Sequence, residues 1–201
     1  GLATADILCG DVNPSGKLSD TYAKDLEDYP STANFHESAF YVDYTEDIYV
    51  GYRCFETVPG AAEKVNYPFG YGLSYTTFEQ TLKSVDVDLE NRTVTAEVEV
   101  KNTGDVAGKD VVQLYTSVPY TDYDIENKVE KSAVQLLDYE KTDVIEPGKS
   151  QTVTINADAQ DMASWDSTCD NEAGTTGNWI LDNGTYYFTV GNGAHEAVNN
   201  V

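Results

Sequence analysis

Val94-Thr95-Ala96-Glu97-Val98-Glu99-Val100 decides the fold. Its apolar residues occupy every second position, so an extended chain puts all four on one face and the polar three on the other. Upstream, Val85, Val87 and Leu89 alternate with Asp86 and Asp88 in the same way. Asn102-Thr103-Gly104-Asp105 then supplies a turn. Further strands are expected at 110–117, 133–140, 151–156 and 185–190, with turns at Pro147-Gly148 and Asn183-Gly184. Six or seven short strands in about 115 residues, each with one buried and one wet face, make a β-sandwich.

The Cys…Trp…Cys spacing of antibody domains is missing, so the fibronectin-III-like form of the immunoglobulin-like sandwich fits better. Two stretches carry no strand pattern and are expected as polar loops, 118–132 and 161–178. Residues 1–78 have a different, mixed texture. A short helix at Leu2-Ala3-Thr4-Ala5-Asp6-Ile7-Leu8 ends at Gly10, and Asn13-Pro14-Ser15-Gly16 forms a turn. A domain rarely begins mid-helix, so the chain is expected to be a piece of something longer. The apolar-aromatic run from Phe40 to Phe55 leaves helix and strand equally open. Tyr67 to Phe78, rich in Gly and aromatic rings, reads as a packed connecting segment. The expected organisation is an α+β fragment over 1–78 followed by an all-β domain over 79–201.

Hydrophobic residues make up 40% of the 201 positions, enough for a core. Twelve Lys and Arg stand against 35 Asp and Glu, a net charge of −23. Such a chain repels phosphate backbones and anionic lipid, which argues against nucleic-acid and membrane-surface partners. Cys9, Cys54 and Cys169 lie far apart, and three cysteines cannot close a disulfide framework. Free thiols, or one bridge with one thiol left over, both fit. With only His36 and His195 besides, a structural zinc site lacks ligands.

Glycoside hydrolysis needs two carboxylates about 5–10 Å apart. With 35 acids a pair can always be drawn, so residue type alone selects none. Glu46, among Tyr44, Ile48 and Tyr49, is the best local candidate because apolar neighbours raise a carboxyl pKa. Arg53 lies seven residues on, two turns if the run is helical, and the plainer expectation is a structural ion pair between Glu46 and Arg53. Asp122-x-Asp124-x-Glu126 begins like a calcium loop but has Asn127 and Ala133 where Gly and Glu are required. Gly70-x-Gly72 and Gly191-x-Gly193 lack the third glycine of a dinucleotide site and read as turns. No G-x-S-x-G elbow accompanies either histidine, and both are expected at the surface. No basic residue flanks Cys9 or Cys169, and the Arg53 beside Cys54 need not converge on it. Trp165 and Trp179 offer a sugar-stacking platform, with core packing as the commoner fate of such rings. Asn91-Arg92-Thr93 and Asn183-Gly184-Thr185 are glycosylation sequons.

Four longer motifs carry a family resemblance. Ala5-Asp6-Ile7-Leu8-Cys9-Gly10-Asp11-Val12-Asn13-Pro14-Ser15-Gly16-Lys17-Leu18 resembles the ADxLxGxxNPSGKL segment of glycoside hydrolase family 3, the β-glucosidase family. Tyr44 to Arg53 resembles its YxEGIYVGYR segment, and Tyr67 to Phe78 its FPFGYGLSYTxF segment. Lys101 to Tyr115, with Leu137 to Lys141 and Glu146 to Ser150, is similar to its fibronectin-III-like domain. The resemblance implies that 1–78 is the tail of an α/β sandwich domain. It also implies that the nucleophilic Asp lies on a (β/α)8 barrel in another segment or chain. The acid/base Glu would lie upstream of the first motif, so no catalytic residue falls in this chain. Cys9, Asp47 and Leu18-Ser19-Asp20 depart from the usual pattern. Residues 28–34 and the Gly191 to Ala197 stretch resemble a subgroup whose halves run in swapped order, this half first.

The expected function is therefore the non-barrel portion of a retaining exo-acting β-glycosidase, most simply a β-glucosidase acting on oligosaccharides. No metal or organic cofactor is implied. Compartment is open, with secretion favoured because polysaccharide-degrading relatives are often secreted. The alternative is a non-catalytic fibronectin-III-like module that binds carbohydrate or protein. A structural spacer is the third reading.

Overall fold

A computed structural model describes residues 1–200. In chain order the elements are α1 (Leu2–Cys9), β1 (Tyr22–Ala23), α2 (Tyr52–Thr57), β2 (Val65–Tyr67), β3 (Phe78–Asp88), β4 (Thr93–Asn102), β5 (Val111–Ser117) and α3 (Asp122–Asn127). They continue with β6 (Gln135–Lys141), β7 (Ser150–Asp158), β8 (Ser164–Asp170), β9 (Thr176–Ile180), β10 (Tyr187–Gly191) and α4 (Ala194–Asn199). Among the described residues no helix is long and apolar enough to cross a membrane.

Two antiparallel sheets form the sandwich, β3-β4-β7 and β10-β5-β6. The alternation in β4 becomes geometry: Val94, Ala96, Val98 and Val100 are all buried while Thr93, Glu97 and Lys101 are exposed. Val98 pairs with Val153 across β4 and β7, and Val94 with Ala157, so their neighbours on the inner face stay in register. Val112 and Leu114 of β5, Leu137 of β6 and Val190 of β10 close the core from the other sheet.

β5 breaks the alternation, because every residue from Val112 to Thr116 is buried. A strand buried on both faces must be covered on both. Its second face carries Tyr115, which packs with Val134, Ala194 and Ala197, and against Tyr52, Phe69, Leu136 and Val198. This second core joins residues before 78 to the sandwich. Tyr52 stacks on Phe69 at 4.9 Å and meets Tyr115 edge-on at 6.2 Å, and its hydroxyl accepts the Leu136 N–H at 3.0 Å. The run from Phe40 to Phe55, open to either reading in sequence, is turns followed by α2.

Both expected loops contain structure. α3 lies within 118–132, and most of 161–178 belongs to the β8–β9 hairpin. Trp165 and Trp179 face each other across that hairpin at 5.4 Å and are both about half exposed. The core packing expected for them is corrected: the sandwich is filled by Val, Ile and Leu from the two sheets, and the hairpin stands outside it. All three cysteines are free thiols, with Cys9 exposed, Cys54 buried and Cys169 between.

Candidate functional site

The motifs of the first 78 residues converge on one seam with the sandwich. Asn13 donates from Nδ2 to the Ala107 carbonyl at 3.1 Å, and its Oδ1 accepts from Ser74 Oγ and the Tyr75 N–H, both at 2.9 Å. Lys17 Nζ lies 3.6 Å from the buried Asp110 carboxylate and 3.4 Å from Asn192 Oδ1. Gln80 Nε2 donates to the second Asp110 oxygen at 2.7 Å. The chain at Leu18 exchanges backbone hydrogen bonds with Gly70 and Tyr71 at 2.9 and 2.8 Å.

The two glycine pairs that read as turns meet here. Gly70 has φ +88°, and a Cβ on it would strike the Asn192 carbonyl. A Cβ on Gly193 would strike the Phe69 carbonyl. Two backbones lie in direct contact, a closeness only glycine permits. Beside them His195 Nδ1 is 2.9 Å from Glu56 Oε2, which ties α4 to α2. His36 is exposed, like His195.

Away from the seam, residues 1–78 carry an uncovered apolar surface. α1 buries none of its residues, and Leu2 is 85% exposed. Phe40 is 96% exposed, and Tyr44, Leu8 and Leu73 are also well exposed. A short, largely apolar helix with every residue uncovered, next to bare aromatic rings, is an apolar patch of the kind that other protein surfaces cover.

Glu46 and Arg53 are not brought together: no salt bridge within 4.0 Å joins them among the described residues. Asp47, at φ 49°, turns the chain between them, so they do not ride two turns of one helix. Glu46 faces Phe35 and Tyr44 with a buried Oε2 that has no hydrogen-bond partner. Arg53 faces a separate cleft of about 620 Å³ beside the hairpin tryptophans.

The acidic run 122–126 is α3 rather than an ion loop. Burial acts to raise the Asp124 pKa, but hydrogen bonds from Lys131 and Thr121 prevail and lower it. Lys131 Nζ lies 2.8 Å from Asp124 and also contacts Asp182 and the Pro119 carbonyl, which pins three loops. The Tyr123 hydroxyl donates to Asp166 at 2.6 Å and, with the Thr168 hydroxyl and N–H, holds that carboxyl down at about 2. The same bond lifts Tyr123 to about 12. Neither network was legible in sequence, since its members sit up to 63 positions apart (Pro119 to Asp182) with no shared motif. No group of three or more His, Cys, Asp or Glu able to hold a metal occurs among the described residues. The sequon residues Asn91 and Asn183 are both exposed.

A sandwich of fibronectin-III-like type, with the end of another domain fastened along one seam, is the class of protein that this geometry defines. Residues 1–75 match the glycosyl hydrolase family 3 C-terminal domain and residues 110–194 the fibronectin type III-like domain. The chain belongs to glycosyl hydrolase family 3. It is 52% identical to beta-glucosidase A of Butyrivibrio fibrisolvens, across 95% of this chain and 24% of that protein. It is 43% identical to a beta-glucosidase of Ruminococcus albus, across 98% of this chain and 19% of that protein. The crystal structure of a beta-glucosidase from Paenibacillus barengoltzii superposes with a TM-score of 0.80 at 43% identity, covering 95% of this chain and 20% of that one. That of the Kluyveromyces marxianus beta-glucosidase gives 0.79 at 38%, covering 96% and 21%. The chain thus spans about a quarter or less of the length of these relatives.

Proposed function

We propose that this chain is the non-barrel portion of a retaining exo-acting β-glucosidase that removes terminal β-linked glucose from oligosaccharides, in the service of cellulose breakdown. Residues 1–78 would end an α/β sandwich domain, and 79–201 would form the fibronectin-III-like domain. The observation that carries this reading is the uncovered apolar surface of α1 and of Phe40 to Tyr44, in a chain spanning so small a share of its relatives. A (β/α)8 barrel, in another segment or chain, would hold the nucleophile. The reaction would run by double displacement: a carboxylate attacks the anomeric carbon while a carboxylic acid protonates the leaving oxygen, and water then releases the glycosyl-enzyme. Neither carboxylate belongs to this chain on this reading. Its residues brace the fold that presents them, with Asn13, Lys17 and Asp110 fixing the angle between the two parts.

Incubating the purified chain with p-nitrophenyl β-D-glucoside tests the division of labour. The expected result is no release of nitrophenol above the buffer rate. Sustained turnover by the pure chain would place an active centre within it and refute the proposal.

A further inference from the structure

We propose that the cleft between residues 47–53 and the β8–β9 hairpin is a subsite for a neutral pyranose oligosaccharide. Its volume of about 620 Å³ falls within the range of small-ligand sites. Both tryptophans of the chain sit on it, each about half exposed. Exposed indoles in an edge arrangement are unusual on a strongly charged surface and suit the apolar C–H faces of equatorially substituted sugar rings. Trp165 is held in place from behind, because Gly177, at φ +105°, has no Cβ and lets the ring lie against its backbone.

Polar groups for sugar hydroxyls line the same cleft. Arg53 has no carboxylate within 4.0 Å among the described residues, so its guanidinium donors are free. Asp161 offers an acceptor. Gln135 donates to the Asp161 carbonyl at 2.5 Å, which fixes that wall. Thr116, 1% exposed, lies at the cleft with its Oγ1 unpartnered. A net charge of −23 disfavours an anionic ligand, and exposed indole faces flanked by unpaired donors and acceptors favour a sugar.

Because the chain has only these two tryptophans, its tryptophan emission, excited beyond the tyrosine absorption band, reports on this cleft. Titration of the chain with cellotetraose is expected to give a saturable shift in tryptophan emission with Kd of about 0.1–10 mM. Trp165→Ala and Arg53→Gln should each weaken binding at least about fivefold. Trp165→Phe, which keeps a stacking ring, should bind within about twofold of the parent, which separates lost stacking from lost fold. No emission change up to about 20 mM, or an undiminished affinity in Trp165→Ala, would overturn the proposal. Because the assay involves no hydrolysis, it stands or falls independently of the β-glucosidase reading.

Discussion

Asn13 makes three hydrogen bonds to two segments that lie 61 to 94 positions further along the chain. In sequence it reads as a turn residue before proline, which it is, but its side chain serves partners that no local pattern could reveal. Asn13→Ala should lower stability by about 1–2 kcal/mol, since the Tyr75 N–H and the Ala107 carbonyl lose their partner. Gly193→Ala should cost more, at least about 2 kcal/mol, because the new methyl meets the Phe69 carbonyl and backbone has to move. Urea midpoints would rank the two. Equal or negligible losses would mean that the two backbones do not meet as closely at Gly70 and Gly193. Glu46 and Arg53 teach the opposite lesson. Their spacing suggested a pair, but a left-handed turn at Asp47 sends the side chains into different clefts, and single-residue spacing does not foresee that.

Among the elements, β4 and β7 were legible because burial on one face writes period two into the sequence. β5 was legible as a strand but not as one buried twice. The β8–β9 hairpin was missed for the converse reason: Asp166 is its one fully buried side chain, so the run 161–178 has no apolar rhythm. The hairpin is held instead by the Tyr123–Asp166 bond, and this gives it a pH window. Asp166 is depressed from 3.8 to about 2, so its contribution is full above about 4 and is lost as pH falls through 2. Tyr123 is raised from 10.0 to about 12, so its contribution is full below 10 and is lost as pH rises through 12. Tryptophan emission should therefore change as pH falls through about 2 and as it rises through about 12. Tyr123→Phe should loosen the hairpin, remove the Tyr123 contribution at the alkaline edge and move the acid edge towards the ordinary carboxylate range, while the Thr168 hydroxyl and N–H still hold Asp166 in part. Identical profiles in the two proteins would assign the hairpin's anchorage elsewhere.

The whole molecule combines a filled sandwich with an opening segment, 1–78, whose apolar surface is bare. The sandwich was readable from its strands, and the opening segment from its motifs, but only the packed structure reveals how the two are joined. Tyr115 turns the outer face of β5 into a second core, and Gly70 and Gly193 let the connecting segment lie flat on it. A chain with so many bare apolar side chains on α1 and around Phe40 should bind a hydrophobic dye and self-associate unless another surface covers them. The most direct test mixes the chain with a separately prepared copy of the remainder that the proposed function assigns to it, and follows hydrolysis of p-nitrophenyl β-D-glucoside together with dye binding. The account predicts a one-to-one complex, loss of dye fluorescence, and turnover that rises well above either component alone. A remainder fully active by itself, with the apolar face of the chain still open to dye in the mixture, would contradict it.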